Sequence, residues 1–289
     1  MVLNQPRLQA ELDAALTLAQ AAGAEILKLY RHPLEIEEKL ASDAREPVTE
    51  ADLVANDLIV AGLRRTFPDD GILAEESIDT ERRLEKERVW MVDPLDGTNG
   101  FIDGNGDFAV QIGLAVAGEP VLGVVYQPVS GVLYRAVRHQ GTWIESPDHG
   151  QRQARVSSQM NISAMRLAAS RSHRSPRMDR VVQSFGVKEE VRRGSVGIKV
   201  GLIVEQRCDL YVHLSSRTKQ WDTCAPEVIL AEAGGRLTDL FGKPLRYNSP
   251  DVQNRNGIVA SNGLAHDLII RALVPLLEEF GRSPVADGS

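Results

Sequence analysis

The sequence predicts a mixed α/β (α+β) protein, and three observations carry that expectation. Apolar residues recur at helical spacing over residues 8–30 and again after Thr49. From Phe108 to Glu145 short apolar runs alternate with turn signals, the pattern of an antiparallel meander. Beyond residue 161, strand-like and helix-like runs alternate, which is the pattern of an α/β layer.

Each element has a local reason. Leu8, Leu12, Leu16, Ile26, Leu27 and Tyr30, with alanines between them, outline the first helix. "TEADLVANDLIVAGLRRTF" is the second, with Thr49 as N-cap and Asp52 placed as in a capping box. "PDDG" makes a turn, the short apolar "ILA" ends in Glu75-Glu76-Ser77, and "RVWMV" reads as a buried strand ending at Asp93. "FAVQIGLAV", "PVLGVVYQP", "GVLYRAV" and "GTWIE" are the meander, and residues 146–161 read as a polar connection. "RLAAS", "EEVRRG", "DLYVHL", "RLTDL" and "GIVAS" then alternate with helical runs, and an amphipathic helix closes the chain. The change of pattern suggests two subdomains, 1–150 and 151–289, with the acidic residues concentrated in the first.

The 289 residues are enough for one large domain or two intimately packed ones. A net charge of -7 argues against a nucleic-acid polymer as partner, since such proteins carry a basic face. It does not exclude a small anionic substrate, because a metal or a local basic cluster can reverse the field in one pocket. Cys208 and Cys224 alone make no disulfide framework, and Glu11 and Asp13 interrupt the first apolar stretch, unlike a signal peptide. No apolar run approaches the ~18 residues that span a bilayer. The expected location is cytoplasmic, with no membrane partner.

The stretch "WMVDPLDGTNGF" sets Asp93 and Asp96 three residues apart. Other acids also fall at the ends of elements: Glu75 and Glu76 after a short strand, Asp222 at a helix start, Asp52 in a first helical turn. Oxygen ligands on short turns suit hard divalent cations such as Mg²⁺, and two carboxylates can share a pair of ions ~4 Å apart. Taken singly, each residue has a plainer reading. Pro-x-Asp-Gly is turn chemistry, Glu75-Glu76 a solvated pair, Asp222 an N-cap and Asp52 a charge on the helix dipole. "DGNGD" (Asp103 to Asp107) begins like a calcium loop, but Phe108 and Leu114 stand where that loop needs Gly and Glu. No Walker loop, nucleophile elbow or zinc-type cluster is present in the sequence.

"EPVTEADLVANDLI", "ILAEES", "WMVDPLDGTNGF", "GVVYQPVSGVLY" and "WDTCAPEVILAEAGGRLTDLFGKPL" together resemble the inositol monophosphatase superfamily, in its order and spacing. The resemblance implies a layered α-β-α-β-α sandwich and a Mg²⁺-dependent, lithium-sensitive phosphatase holding two or three ions per site. It implies that Glu75, Asp93 and the Leu95 carbonyl bind one metal. Asp93, Asp96 and Asp222 would bind the second. Gly97 and Thr98 would receive phosphate oxygens. Asp52 and Thr98 would position and deprotonate the attacking water, and Glu76 would orient another. Ala74 and Gly100 depart from the commonest wording without removing a ligand. Members of the superfamily are often dimers, so a homodimer is an open expectation.

"NGDF", "KQWDTCAPEVIL", "SRSH" and "GSVGIK" resemble the 3′(2′),5′-bisphosphate nucleotidase branch more than its siblings. That implies contacts to substrate from Ser170, His173, Ser195 and Lys199. The substrate would be 3′-phosphoadenosine 5′-phosphate, whose second phosphate needs a cationic subsite. Arg171, Arg174, Arg177, Arg192 and Arg193 are its candidate neighbours, although a charge run is as often a solvated face. Inositol 1-phosphate, fructose 1,6-bisphosphate and histidinol phosphate are the rival substrates. A metal- or nucleotide-binding module without turnover is the rival outside the enzymes.

Overall fold

The computed structural model describes residues 8–31, 36–41, 44–171 and 175–285. Helix α1 (Gln9–Leu29) buries Leu12, Ala15, Ala19, Ala22 and Ile26, a narrow stripe of mostly small side chains. Those small residues let α2 (Glu50–Thr66) lie close against it. A Cβ at Gly62 of α2 would come within 2.3 Å of Leu18. Between the two helices, β1 (Ile36–Ala41) and β2 (Ala44–Thr49) form an antiparallel hairpin. The sequence gives no apolar alternation there, and this hairpin is not among the expected elements.

A seven-stranded sheet follows in sequential order. Its strands are β3 (Gly71–Ala74), β4 (Arg88–Asp96), β5 (Ala109–Val116), β6 (Glu119–Gln127), β7 (Val132–Val137), β8 (Thr142–Ser146) and β9 (Gly150–Ala154). β3 is parallel to β4, and every later pair is antiparallel. The expected meander is β5 to β8. β9 adds one more strand inside the stretch expected to be a polar connection, because an edge strand need bury only one residue, Ala154.

The second sheet is mixed, in the order β11-β10-β12-β14-β13. It comprises β10 (Arg166–Ser170), β11 (Glu189–Arg193), β12 (Leu210–His213), β13 (Arg236–Thr238) and β14 (Ile258–Ser261). Helices α5 (Val196–Val204) and α6 (Gln220–Glu232) share an apolar cluster with both sheets. Helices α4 (Pro176–Phe185) and α7 (His266–Glu279) pack on the far face of the second sheet. With α1 and α2 on the far face of the first, the layers read α-β-α-β-α.

Two details of packing bring the acidic residues together. Gly113 and Gly123 are partners across β5 and β6, and a Cβ on either would strike Cys224 or Ala225 of α6 at 2.7 or 2.3 Å. Glycine at these two positions lets α6 approach the sheet closely, which carries Asp222 to the end of β4. β4 itself does not stop at Asp93 as expected. It runs to Asp96 with a register shift, since Asp93 pairs with Gln111 and Asp96 with Ala109. Two residues of β4 therefore face one of β5, which is a β-bulge. Residues three apart on a regular strand point to opposite faces, and the bulge restores Asp93 and Asp96 to one side.

Candidate active site

A cavity of about 570 Å³ opens where the C-terminal end of β4 meets the ends of β10 and β12. Glu75, Asp93, Leu95, Asp96, Gly97, Thr98 and Asp222 line it, together with Ser170, Ser195 and Lys199. Asp52 and Glu76 are not part of this lining. His173 lies outside the described residues, as does Arg174.

The acidic side is held by local hydrogen bonds. The Glu75 N–H donates to Val92 O at 3.1 Å, so Glu75 leaves β3 beside Asp93. Asn56 of α2 donates to Ser77 Oγ at 3.1 Å and fixes the turn that carries Glu75 and Glu76. Asp93 Oδ1 accepts from Leu95 N–H at 3.0 Å, closing a small turn over the bulge. Asp222 Oδ2 accepts from Lys219 N–H at 2.7 Å at the start of α6.

Burial raises the pKa of Asp93 well above the usual carboxylate range, and the charges of Glu75, Asp96 and Asp222 push it further. Asp222 is pushed up to about 8 by burial first, then by Asp96 and Glu75, against the Lys219 N–H and ammonium. Asp96 is also raised by burial, while Lys199 and the donors Ser195, Gly197 and Val196 pull the other way. Among the described residues no three acidic, His or Cys side chains already close around one point as a cage for an ion. The donor set is nevertheless four carboxylates that repel one another, with a backbone carbonyl beside them. Such hard oxygen donors fit Mg²⁺, and a cation would relieve the repulsion.

Asp52 and Thr98 meet. Thr98 Oγ1 donates to Asp52 Oδ1 at 3.1 Å, while Asp52 Oδ2 accepts from the Thr49 N–H at 2.8 Å and its hydroxyl at 2.6 Å. The backbone bond is the reciprocal half of the expected capping box, so the cap of α2 also aims Asp52 at Thr98. Burial raises the Asp52 pKa, opposed by its hydrogen bonds to Thr49 and Thr98.

The basic side differs from the expectation. Arg171 Nε donates to Asp107 Oδ2 at 2.5 Å, and Arg193 Nε lies 3.5 Å from Asp107 Oδ1. Arg177 sits 5.7 Å over the Phe280 ring. Arg171, Arg177, Arg192 and Arg193 do not line the cavity. Among the described residues its cations are Lys199, Arg217 and Lys219. Lys199 is buried, 4.9 Å over the Tyr211 ring, and burial lowers its pKa to about 8 against the charges of Asp96, Asp107 and Asp222. Ser195 caps α5, and its hydroxyl donates to Asp96 Oδ2 at 2.5 Å, so its proton is committed inside the protein.

Sequence reading missed Gln111, Asp107, Arg217 and Lys219. Gln111 is fully buried in β5 and donates to Asp96 Oδ2 at 2.5 Å. A lone amide in the apolar run "FAVQIGLAV" was its signal. Lys219 is the N-cap of α6, and nothing in its spacing marks it.

A family model described as the inositol monophosphatase family matches residues 8–278. The chain belongs to that family. It is 36% identical over 242 residues to the 3′(2′),5′-bisphosphate nucleotidase CysQ of Escherichia coli, covering 82% of this chain and 93% of that one. CysQ of Haemophilus influenzae is 31% identical over 239 residues, covering 82% and 87%. Among solved structures, an IMPase of Thermotoga maritima superposes with a TM-score of 0.80 at 26% identity, covering 94% and 100%. CysQ of Bacteroides thetaiotaomicron gives 0.75 at 30% identity, covering 89% and 98%. The protein is thus a phosphoric monoester hydrolase of the inositol monophosphatase family, and no helix among its described residues is long and apolar enough to cross a membrane.

Proposed function

We propose that this phosphatase removes the 3′-phosphate of 3′-phosphoadenosine 5′-phosphate, giving AMP and phosphate, in a Mg²⁺-dependent and lithium-sensitive reaction. The observation that carries the reading is a cavity lined by four carboxylates and also by Lys199, Arg217 and Lys219. One phosphate can meet the acidic side through a cation while a second meets the lysines and arginine. The relatives named as bisphosphate nucleotidases support the same choice.

Glu75, Asp93, the Leu95 carbonyl, Asp96 and Asp222 are the residues that would hold Mg²⁺. When bound it would screen the phosphate charge, stabilise the leaving oxygen and lower the pKa of a water. The chain's own residues supply the proton path. Thr98 donates its hydroxyl proton to Asp52, so its oxygen can accept from a water on the cavity side. As that water attacks phosphorus, its proton passes to Thr98 Oγ1 and the Thr98 proton moves to Asp52 Oδ1. The raised pKa of buried Asp52 makes it a better acceptor at that moment. Gly97 and Thr98, at the start of the single-turn helix α3 (Thr98–Ile102), are proposed to face the phosphate, with Glu76 behind them. Ser170 and Ser195, which line the cavity, are proposed to contact the substrate, and the motif resemblance proposes the same role for His173.

A second reading is inositol 1-phosphate, favoured by the overall likeness to the Thermotoga IMPase. Phosphate release from both esters with Mg²⁺, with and without Li⁺, separates the two. A clear preference for the inositol ester would reverse the choice of substrate, and no release from either would sink the proposal.

A further inference from the structure

Asp107 sits in neither the acidic nor the basic lining of the cavity, yet it joins the two sides. Its Oδ2 accepts from Arg171 Nε at 2.5 Å and from Gly194 N–H at 3.1 Å, and its own N–H donates to Asn105 Oδ1 at 2.9 Å. Its carbonyl oxygen is a wall for three glycines. A Cβ at Gly97, Gly100 or Gly194 would lie 2.5, 2.6 or 2.5 Å from it. Asp107 therefore sets the turn carrying Gly97 and the turn carrying Gly194 at a fixed separation.

The residue after Gly194 is Ser195, a non-glycine at φ 55, ψ 135. Such a backbone is strained for a residue with a side chain and persists only where its surroundings hold it. Here the hold comes from both sides. Asp107 fixes the Gly194 N–H, and beyond it the Ser195 hydroxyl donates to Asp96 Oδ2 at 2.5 Å while accepting from Ile198 N–H at 3.1 Å. The Gly197 N–H and Gln111 Nε2 reach the same Asp96 oxygen at 3.0 and 2.5 Å. Three donors on one oxygen fix the plane of the carboxylate.

We infer that Asp107 is a positioning residue for Asp96, acting through Gly194 and the strained Ser195. It rests on the proposed reading of Asp96 as a cation ligand. Without the Asp107 carboxylate the Gly194 N–H is unpaired, Ser195 is free to leave its strained backbone, and Asp96 loses one of its orienting donors. Residues that orient a ligand carboxylate typically change metal affinity by about 10–100-fold.

The test is Mn²⁺ binding by the full chain, followed by electron paramagnetic resonance and calorimetry, alongside thermal unfolding. Asp107→Ala is expected to raise the Mn²⁺ dissociation constant about tenfold, and Asp107→Asn, whose carbonyl can still accept from Gly194, to recover to within about threefold of wild type. An Asp107→Ala protein that melts lower but binds Mn²⁺ as wild type does would overturn the inference, since that is all a merely structural role predicts. If Asp107→Ala does not fold, Ser195→Ala reads the other end of the relay, with the same loss expected and unchanged binding overturning it. Wild-type protein that binds Mn²⁺ and releases phosphate while both variants bind normally sinks the relay alone. Wild-type protein that does not bind Mn²⁺ sinks the proposed function, and the relay with it.

Discussion

Thr98 Oγ1 and Asp52 Oδ1 lie 3.1 Å apart, joining the turn after β4 to the first turn of α2 across 46 positions of sequence. The cap of one helix and the bulge of one strand must both be in place for this pair to exist. In the proposed mechanism Thr98 passes a proton only while Asp52 accepts it, so the two would act as one unit. Thr98→Ala and Asp52→Asn are each expected to lower kcat by about 10²–10⁴-fold, and the double variant to be little worse than the poorer single one. Initial rates of phosphate release check this. Multiplying losses in the double variant would mean that the residues act separately.

The clustered carboxylates make an equally direct prediction about pH and metal. The folded-state pKa values of Asp93, Asp96 and Asp222 lie above the 3.8 of a free aspartate, with Asp222 at about 8. Between those limits these three acids bind more protons in the folded metal-free protein than in the unfolded chain, so their contribution to stability falls as pH rises toward 8. On the proposed reading a cation would replace the protons and relieve the repulsion. Mg²⁺ should therefore raise the melting temperature of metal-stripped protein more at pH 8 than at pH 5.5. Asp96→Asn should shrink that gain and abolish turnover. Equal Mg²⁺ shifts at both pH values would show that the acids are not the groups that meet the metal.

Lys199 is a predicted substrate contact that lies near carboxylate charge. Its ammonium is influenced by Asp96, Asp107 and Asp222 and sits among apolar neighbours of α5. Lys199→Met keeps the volume and removes the charge, which avoids opening a hole. The expected result is a rise of about tenfold in KM for the bisphosphate, with less than about threefold change for inositol 1-phosphate, since a charge contact to a phosphate is worth about 1.5–3 kcal/mol. Equal losses for both esters would assign Lys199 to the acidic site and not to a second phosphate.

Much of this was legible in the sequence because the local rules and the fold agreed. Thr49 and Asp52 announced the cap of α2, the glycine-punctuated runs announced β5 to β8, and the acids at element ends announced the site. The errors have physical causes. "VDPLDG" reads as a turn because proline and Asp-Gly favour one, but β4 continues through it as a bulge whose partner residue lies on β5. Pairing across strands is invisible to local pattern. Arg171 looked free because its partner, Asp107, is 64 residues away. Lys219 and Arg217 were passed over because a cation in a loop has no periodicity to betray it. Their place depends on how α6 is pressed onto Gly113 and Gly123 by the second sheet.

His266 gives a prediction independent of the catalytic chemistry. It is fully buried at the start of α7, with Nε2 2.9 Å from Thr238 Oγ1 and Nδ1 2.8 Å from Ser261 Oγ. Thr238 already donates its hydroxyl proton to Asp239 O at 2.8 Å, so it must accept from Nε2–H, and Ser261 donates to Nδ1. This is a neutral imidazole with both nitrogens engaged, and a second proton has nowhere to point. Burial lowers its pKa from 6.5 to about 4, helped by Arg236 and opposed by Asp267. The unfolded chain gains a proton below pH 6.5 while the folded one does not until about pH 4. The contribution is therefore complete above pH 6.5 and is lost as pH falls through that window, up to about 3 kcal/mol. His266→Gln should unfold more readily than wild type at pH 7 but lose less stability between pH 7 and pH 4.5. The acidic cluster contributes the same opposite slope to both proteins, so the difference between their urea midpoints at the two pH values isolates the histidine. Parallel slopes for the two proteins would mean that His266 is not the group being titrated.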